Sequence, residues 1–302
     1  MKYPSITELV LRDGQQSLIA TRMRLSDITP ILSKLDNVGF SSLEMWGGAT
    51  YDCCLRFLNE DPWERLKVIK SNIKNTQLQM LLRGKNLVGY KKYDETVIDL
   101  FINKSSENGI DIFRIFDALN DINNIVYSIE CANKYNANSQ GTISYTTSPV
   151  HNEKYWLKLA KDIEDAGAKS LGIKDMAGLL KPKTAYNLIK KLKRNLSIPI
   201  HLHTHATTGL SDATNYKAYE AGVDNIDTSI SSFSNLYAHT ATESLITMIY
   251  DENDNPFNMN ELAEISDYFQ NIRNKYSQYE GSMKGVDTVS YTHLTLPTIC
   301  SV

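Results

Sequence analysis

Short runs of aliphatic and β-branched residues alternate along this chain with longer stretches whose apolar positions recur at helical spacing. The short runs predict strands near 6–11, 42–46, 78–83, 111–116, 141–145, 171–174, 198–205 and 225–230. Their starts fall roughly 25–36 residues apart, room for one strand, one helix and two loops. Eight such units in about 250 residues are what a closed parallel barrel requires. An open doubly wound sheet is the alternative, and it usually begins with a glycine-rich turn. Arg12-Asp13-Gly14-Gln15-Gln16, after the first run, is not one. The expected class is α/β: a (β/α)8 TIM barrel over 1–250, then a truncated helical C-terminal extension over 251–287.

The intervening stretches carry helix signals. Ser26 and Asp27 open one with Ile28, Ile31, Leu32 and Leu35 on a single face, stopped by Gly39. Residues 153–166 repeat the pattern with Trp156, Leu159, Ala160 and Ile163 inward and Gly167 as the stop. Pro182 suits the start of a helix through 184–192. DENDNPFN after Tyr250 reads as a linker, and 259–276 as one further amphipathic helix. Residues 290–302 contain no charged side chain and resemble translated adapter sequence, so 288–302 is read as a non-native tail and set aside.

Composition narrows the function class. The chain has 302 residues, 42% hydrophobic and 22% charged, and its net charge of −3 shows no basic excess that would mark a nucleic-acid binder. The apolar runs are too short or too interrupted for a membrane span, and Met1 leads almost directly into a strand with no room for a signal peptide. Cys53, Cys54, Cys131 and Cys300 lack metal-site spacing, and the adjacent pair makes poor disulfide geometry, which fits a reducing cytoplasm.

The chemistry lies at the strand ends, where a barrel presents its catalytic groups. In IPIHLHTH, alternation turns His201, His203 and His205 inward, with His201 ~6–7 Å deeper in a supporting layer. A single inward histidine suits core packing. Two near the rim, with Asp13 ending ITELVLRD on another strand, favour metal ligation. Lys174 ends SLGIKD on the inward side. Burial favours its neutral amine, which is nucleophilic and able to add carbon dioxide as a metal-binding carbamate. A plain ion pair with Asp175 is the competing reading, and spacing alone leaves the two level. The mixed nitrogen and oxygen donors suit zinc, manganese or cobalt. Arg83 follows the third strand and has the fork for a small carboxylate, or for a rim salt bridge. Gln16, Asp52 and Tyr90 also lie on rim loops, Trp46 carries no assigned chemistry, and Asp117 and Asp227 end strands as supports or caps.

Together LRDGQQSLIATRMR, LEMWGGATYD, QMLLRGKNLVGY, FRIFDALND, GIKDMAGLLKP and HLHTHATTG resemble the carboxyltransferase domain of biotin-dependent enzymes, from Thr7 to Asp287. The resemblance is to oxaloacetate decarboxylase alpha subunits and pyruvate carboxylases, with 145–151 and 229–244 leaning toward the former. It implies a divalent metal on Asp13, carbamylated Lys174, His203 and His205, substrate contacts from Gln16 and Arg83, and Asp52 and Tyr90 around biotin. It also implies a homo-oligomer and a biotin supplied by a carrier domain absent from this chain. The family's funnel domain, with a proton-transferring threonine, continues beyond Asp287 and has no counterpart here, so slow or no turnover is expected.

The implied activity moves a carboxyl group between oxaloacetate and biotin, leaving pyruvate. Its partners would be membrane decarboxylase subunits, which would place it at the inner membrane surface, or a biotin carboxylase if the reaction runs toward pyruvate carboxylation as in pyruvate carboxylases. Two further readings stay open: an acyl-CoA condensing or cleaving barrel, which also uses an acid and an H-x-H pair, and a non-enzymatic assembly protein.

Overall fold

The computed structural model describes residues 2–251, 253–283 and 285–287. Eight parallel strands close into a barrel in sequence order, with β1 hydrogen-bonded to β8. They are β1 (Ser5–Glu8), β2 (Ser42–Gly47), β3 (Gln77–Leu82), β4 (Ile112–Phe116), β5 (Asn138–Ser144), β6 (Ser170–Asp175), β7 (Ile200–Thr204) and β8 (Asn225–Thr228). The main helices that follow them are α1 (Leu32–Asn37), α2 (Pro62–Asn72), α3 (Glu95–Glu107), α4 (Ile122–Lys134), α5 (Glu153–Asp165), α6 (Pro182–Asn195), α7 (Ser211–Ala221) and α8 (Thr242–Ile249). All eight predicted strands are present, and the barrel class holds. No helix of the described residues is long and apolar enough to cross a membrane.

Alternation along the strands divides two environments. Ile6, Leu43, Phe113, Ile143, Leu171, Ile173, Leu202 and Ile226 join the buried layer between sheet and helices. The side chains between them fill the barrel with polar groups that bond one another. Thr7 reaches Ser42 at 2.8 Å and Asn225 at 3.1 Å, and Gln140 meets His201 at 2.8 Å. The register between β2 and β3 slips between Glu44 and Trp46. That bulge keeps Glu44 inside while Trp46 packs outside, stacked on Phe101 and edge-on to Trp63. Gly141 has no room for a side chain, since a Cβ there would sit 2.3 Å from Ile163 on α5.

Two expectations need revision. The helix expected from Ser26 to Gly39 is a short turn, Leu25–Ile28, then a tighter turn, Thr29–Ile31, then α1. Pro30, which lacks an N–H to donate, lies in the tighter turn. Asp27 does not cap it; its carboxylate takes hydrogen bonds from Tyr276 at 2.5 Å and Lys275 at 2.7 Å. Those donors come from the end of α9 (Met259–Lys275), whose Leu262, Ile265 and Phe269 share the barrel's core. The first strand stops at Glu8, not Leu11, because Val10–Gly14 winds into a π-helical turn closed by Gly14 N–H to Leu9 O at 3.0 Å. The tail expected from 288 onward lies outside the described residues.

Glu8 secures that departure. Its fully buried carboxyl accepts from Val10 N at 3.0 Å, Ile230 N at 2.9 Å and Thr242 Oγ1 at 2.6 Å. Burial pushes the carboxyl up to about 8, against the opposing pull of those donors. A group held protonated by the fold stabilises it fully below the unfolded value of about 4.5, and that contribution fades as pH rises toward 8. Glu8→Gln does not titrate, so urea unfolding of both proteins at pH 5, 6.5 and 8 should show the wild type losing ground to the variant as pH rises. A gap between them that is the same at all three pH values would contradict this.

Candidate metal centre at the barrel mouth

The π-turn brings Asp13 over the C-terminal ends of the strands, where β6 and β7 deliver Lys174 and His203 as register neighbours. His205 follows one residue past β7 and forms an antiparallel bridge with His239, from the loop between β8 and α8. Asp13 Oδ2 lies 3.2 Å from His203 Nε2, 3.5 Å from His205 Nε2 and 3.3 Å from His239 Nε2. Lys174 Nζ lies 2.8 Å from His203 Nε2 and 3.8 Å from Asp13 Oδ2. All five side chains are buried.

Each imidazole is held from its far side. His203 Nδ1 is 2.7 Å from Asp227 Oδ2, His205 Nδ1 2.6 Å from Tyr237 O, and His239 Nδ1 3.0 Å from Thr204 O. An oxygen acceptor requires the proton on Nδ1, which leaves each Nε2 with its lone pair; that of His203 meets Lys174 Nζ at 2.8 Å, and all three lie near Asp13. His239 Nε2 makes no hydrogen bond although fully buried. A carboxylate oxygen and three imidazole nitrogens converging in a buried pocket, one of the nitrogens without a hydrogen bond, fit a divalent metal. The donor atoms of Asp13, His203, His205 and His239 all lie within 4.8 Å of one another.

The surrounding charges tune these groups. Burial opposes ionisation of Asp13, but Arg12, whose Nη2 is 2.7 Å away, holds its carboxyl well below the usual range. Burial pushes Lys174 down to about 8, so an appreciable share of neutral amine exists near physiological pH. Burial, with Lys174 beside it, also lowers His203, and burial with the two other imidazoles takes His239 down to about 3. Beneath them, Arg114 bonds Asp227 through both Nη atoms and sits 3.1 Å from Glu44. Glu44 also pairs with Arg12, which donates from Nη1 to Gln16 at 3.1 Å.

The residues expected from the sequence divide into groups. Asp13, Lys174, His203 and His205 converge, with Gln16 tied to them through Arg12. Asp175 is not the partner of Lys174; it turns away and accepts from Leu179 N and Leu180 N, both at 2.9 Å. Arg83 is half-buried, fixed by Nη1 to Val88 O at 3.3 Å and Gly89 O at 3.2 Å, with its guanidinium 4.8 Å from the Tyr90 ring. A Cβ on Gly48 would stand 2.8 Å from Arg83 Cζ, so the glycine makes room for the arginine. Asp52 pairs with Arg56 at 2.7 Å and joins neither group. Asp117 accepts from Leu119 N at 3.0 Å, as a cap does, whereas Asp227 supports His203 directly. His239 escaped the sequence reading because it lies on no strand. Its one signal is YAHTATE, a histidine two residues before the residue that precedes α8.

The chain matches the HMGL-like family over residues 4–269. It belongs to that family. It is 51% identical over 272 residues to a pyruvate carboxylase subunit of Methanocaldococcus jannaschii, spanning 90% of this chain and 48% of that protein. It is 48% identical over 289 residues to the methylmalonyl-CoA carboxyltransferase 5S subunit of Propionibacterium freudenreichii subsp. shermanii, spanning 94% and 56%. The carboxyl transferase domain of Rhizobium etli pyruvate carboxylase, solved with oxamate and biotin, matches with a TM-score of 0.93 and 40% identity over 97% of this chain and 51% of that one. The HMGL-like chain therefore spans about half the length of the curated relatives it matches. These relatives bear carboxylase and carboxyltransferase names, so the lean of 145–151 and 229–244 toward oxaloacetate decarboxylase gains no support from them.

Removing the central cation of the charge network should be costly. Arg114→Met would strand the buried carboxylates of Glu44 and Asp227, at a cost of about 3–5 kcal/mol for a broken buried pair. Chemical denaturation of the purified chain checks it; a loss below about 1 kcal/mol would mean that the carboxylates find other compensation.

Proposed function

We propose that this chain is the carboxyltransferase part of a biotin-dependent enzyme of the pyruvate carboxylase type, moving a carboxyl group from carboxybiotin to pyruvate to give oxaloacetate. The observation that carries the proposal is the buried cluster of Asp13, Lys174, His203 and His205 at the barrel mouth of a chain so similar to a pyruvate carboxylase component. Oxaloacetate decarboxylation is the same half-reaction in reverse.

Asp13, His203, His205 and a carbamylated Lys174 would hold a zinc, manganese or cobalt ion, which supplies Lewis-acid polarisation of a keto oxygen. The lowered Lys174 favours the carbamate, because only the neutral amine attacks carbon dioxide. Arg83 holds the substrate carboxylate: Val88 and Gly89 fix one end of its guanidinium, and its remaining N–H groups have no protein partner among the described residues. Gln16, oriented by the same Arg12 that pairs with Asp13, contacts the substrate. Biotin enters as the second substrate on a carrier domain, past Tyr90 and Asp52 at the rim. The closed barrel beneath the cluster excludes water from the charge that develops during transfer. A biotin carboxylase is the partner this direction requires.

The test is metal-dependent production of pyruvate from oxaloacetate in the presence of free biotin, followed in the full-length protein. Arg83→Ala should lower kcat/KM for oxaloacetate by about 10–150-fold, equivalent to about 1.5–3 kcal/mol for a charged hydrogen bond. Chelation should abolish the reaction and added manganese or zinc restore it. Wild-type protein that carries metal yet forms no biotin-dependent pyruvate would overturn the proposal.

A further inference from the structure

His239 stands outside that ligand set, yet it aims a fully buried, unbonded Nε2 at the same carboxylate oxygen as His203 and His205. A tetrahedral ion with bonds of about 2.05 Å places neighbouring donors about 3.3 Å apart. Asp13 Oδ2 meets that spacing with all three imidazoles, at 3.2, 3.5 and 3.3 Å. The ring centroid of His239 lies 4.5 Å from that of His203 and 4.2 Å from that of His205, so the three rings form one wall. Its Nδ1, 3.0 Å from Thr204 O, is committed as a donor, and the bridge to His205 ties the two backbones together. Every feature expected of a ligating histidine is therefore in place: buried ring, fixed tautomer, backbone acceptor on the far nitrogen.

We propose that His239 is a protein ligand of the metal, so that Asp13, His203, His205 and His239 hold the ion while Lys174 is still a free amine. Carbamylation then acts on a centre already loaded, adding a donor or replacing one; it does not create the site. This rests on the reading of the cluster as a metal centre. It departs from that reading in making metal retention independent of carbon dioxide.

The experiment loads chelator-stripped chain with cobalt(II) alone, in buffer purged of carbon dioxide. One equivalent should bind, and the proton spectrum should show three exchangeable, paramagnetically shifted imidazole N–H resonances. Lys174→Ala should keep the metal within about threefold of the wild-type affinity. His239→Ala and His239→Gln should each weaken it by at least about 10–100-fold, the scale on which even groups behind the ligands count. Melting curves in chelator establish whether each variant is folded, and the resonance count on wild-type protein needs no variant. Two shifted N–H resonances, or cobalt uptake that demands bicarbonate and Lys174, would overturn the inference while leaving the metal centre standing. Failure of the wild type to bind cobalt with or without bicarbonate would remove both.

Discussion

A single arginine inside the barrel holds the mouth in order. Arg114 rises from β4 and takes both oxygens of Asp227 on β8 while lying against Glu44 on β2. An ionised carboxylate in such a place is costly unless paired, and two of them depend on this guanidinium. Burial works against the charge on Arg114, yet Asp227 and Glu44 hold it protonated. The same carboxylates then act upward: Asp227 fixes the proton of His203, and Glu44 holds Arg12 beside Asp13. Formal charge is nearly balanced within the cluster, with Arg12, Arg114 and Lys174 set against Asp13, Glu44 and Asp227. A divalent cation would add two charges, and a carbamate on Lys174 would remove two of them, by replacing an ammonium with an anion. A metal and a carbamate together would therefore leave the formal balance of the cluster unchanged.

The second constraint is mechanical. Two of the clustered side chains, Asp13 and His239, come from segments that belong to no strand. A strand end is positioned by its ladder, but these segments need another anchor. Glu8 supplies it, gripping the start of the π-turn at Val10, the start of the loop at Ile230 and the beginning of α8 at Thr242. Thr228 and Thr242 close the same loop hydroxyl to hydroxyl at 2.7 Å. A carboxyl five residues before Asp13 therefore fixes the two least regular parts of the site.

What could be read from the sequence follows this division. Strand spacing announced the barrel, and alternation on β6 and β7 put Lys174, His203 and His205 on one inward face, because a ladder transmits period two without interruption. The π-turn was not legible: ITELVLRD reads as one apolar run, and nothing in it marks the point after Glu8 where pairing gives way to winding. His239 was hidden for the opposite reason. A histidine in a loop has no periodicity to place it, and only the bridge to His205 reveals where it points. Asp175 shows the converse: adjacency to Lys174 suggested an ion pair, while alternation sends adjacent strand residues to opposite sides.

The glycines of Trp46-Gly47-Gly48 show how closely rim and interior are coupled. A Cβ on Gly47 would lie 3.2 Å from Arg12 Cδ, and one on Gly48 would collide with Arg83. The two arginines, one in the charge network and one at the rim, therefore lie against adjacent residues of one bare backbone. The bulge in β2 just before them turns Trp46 outward into its aromatic cluster, which anchors the segment from the helix side. A side chain at Gly48 would displace Arg83, and one at Gly47 would press on Arg12. The placement of Arg83 at the rim and the charge balance at Arg12 thus depend on the same few ångströms of backbone.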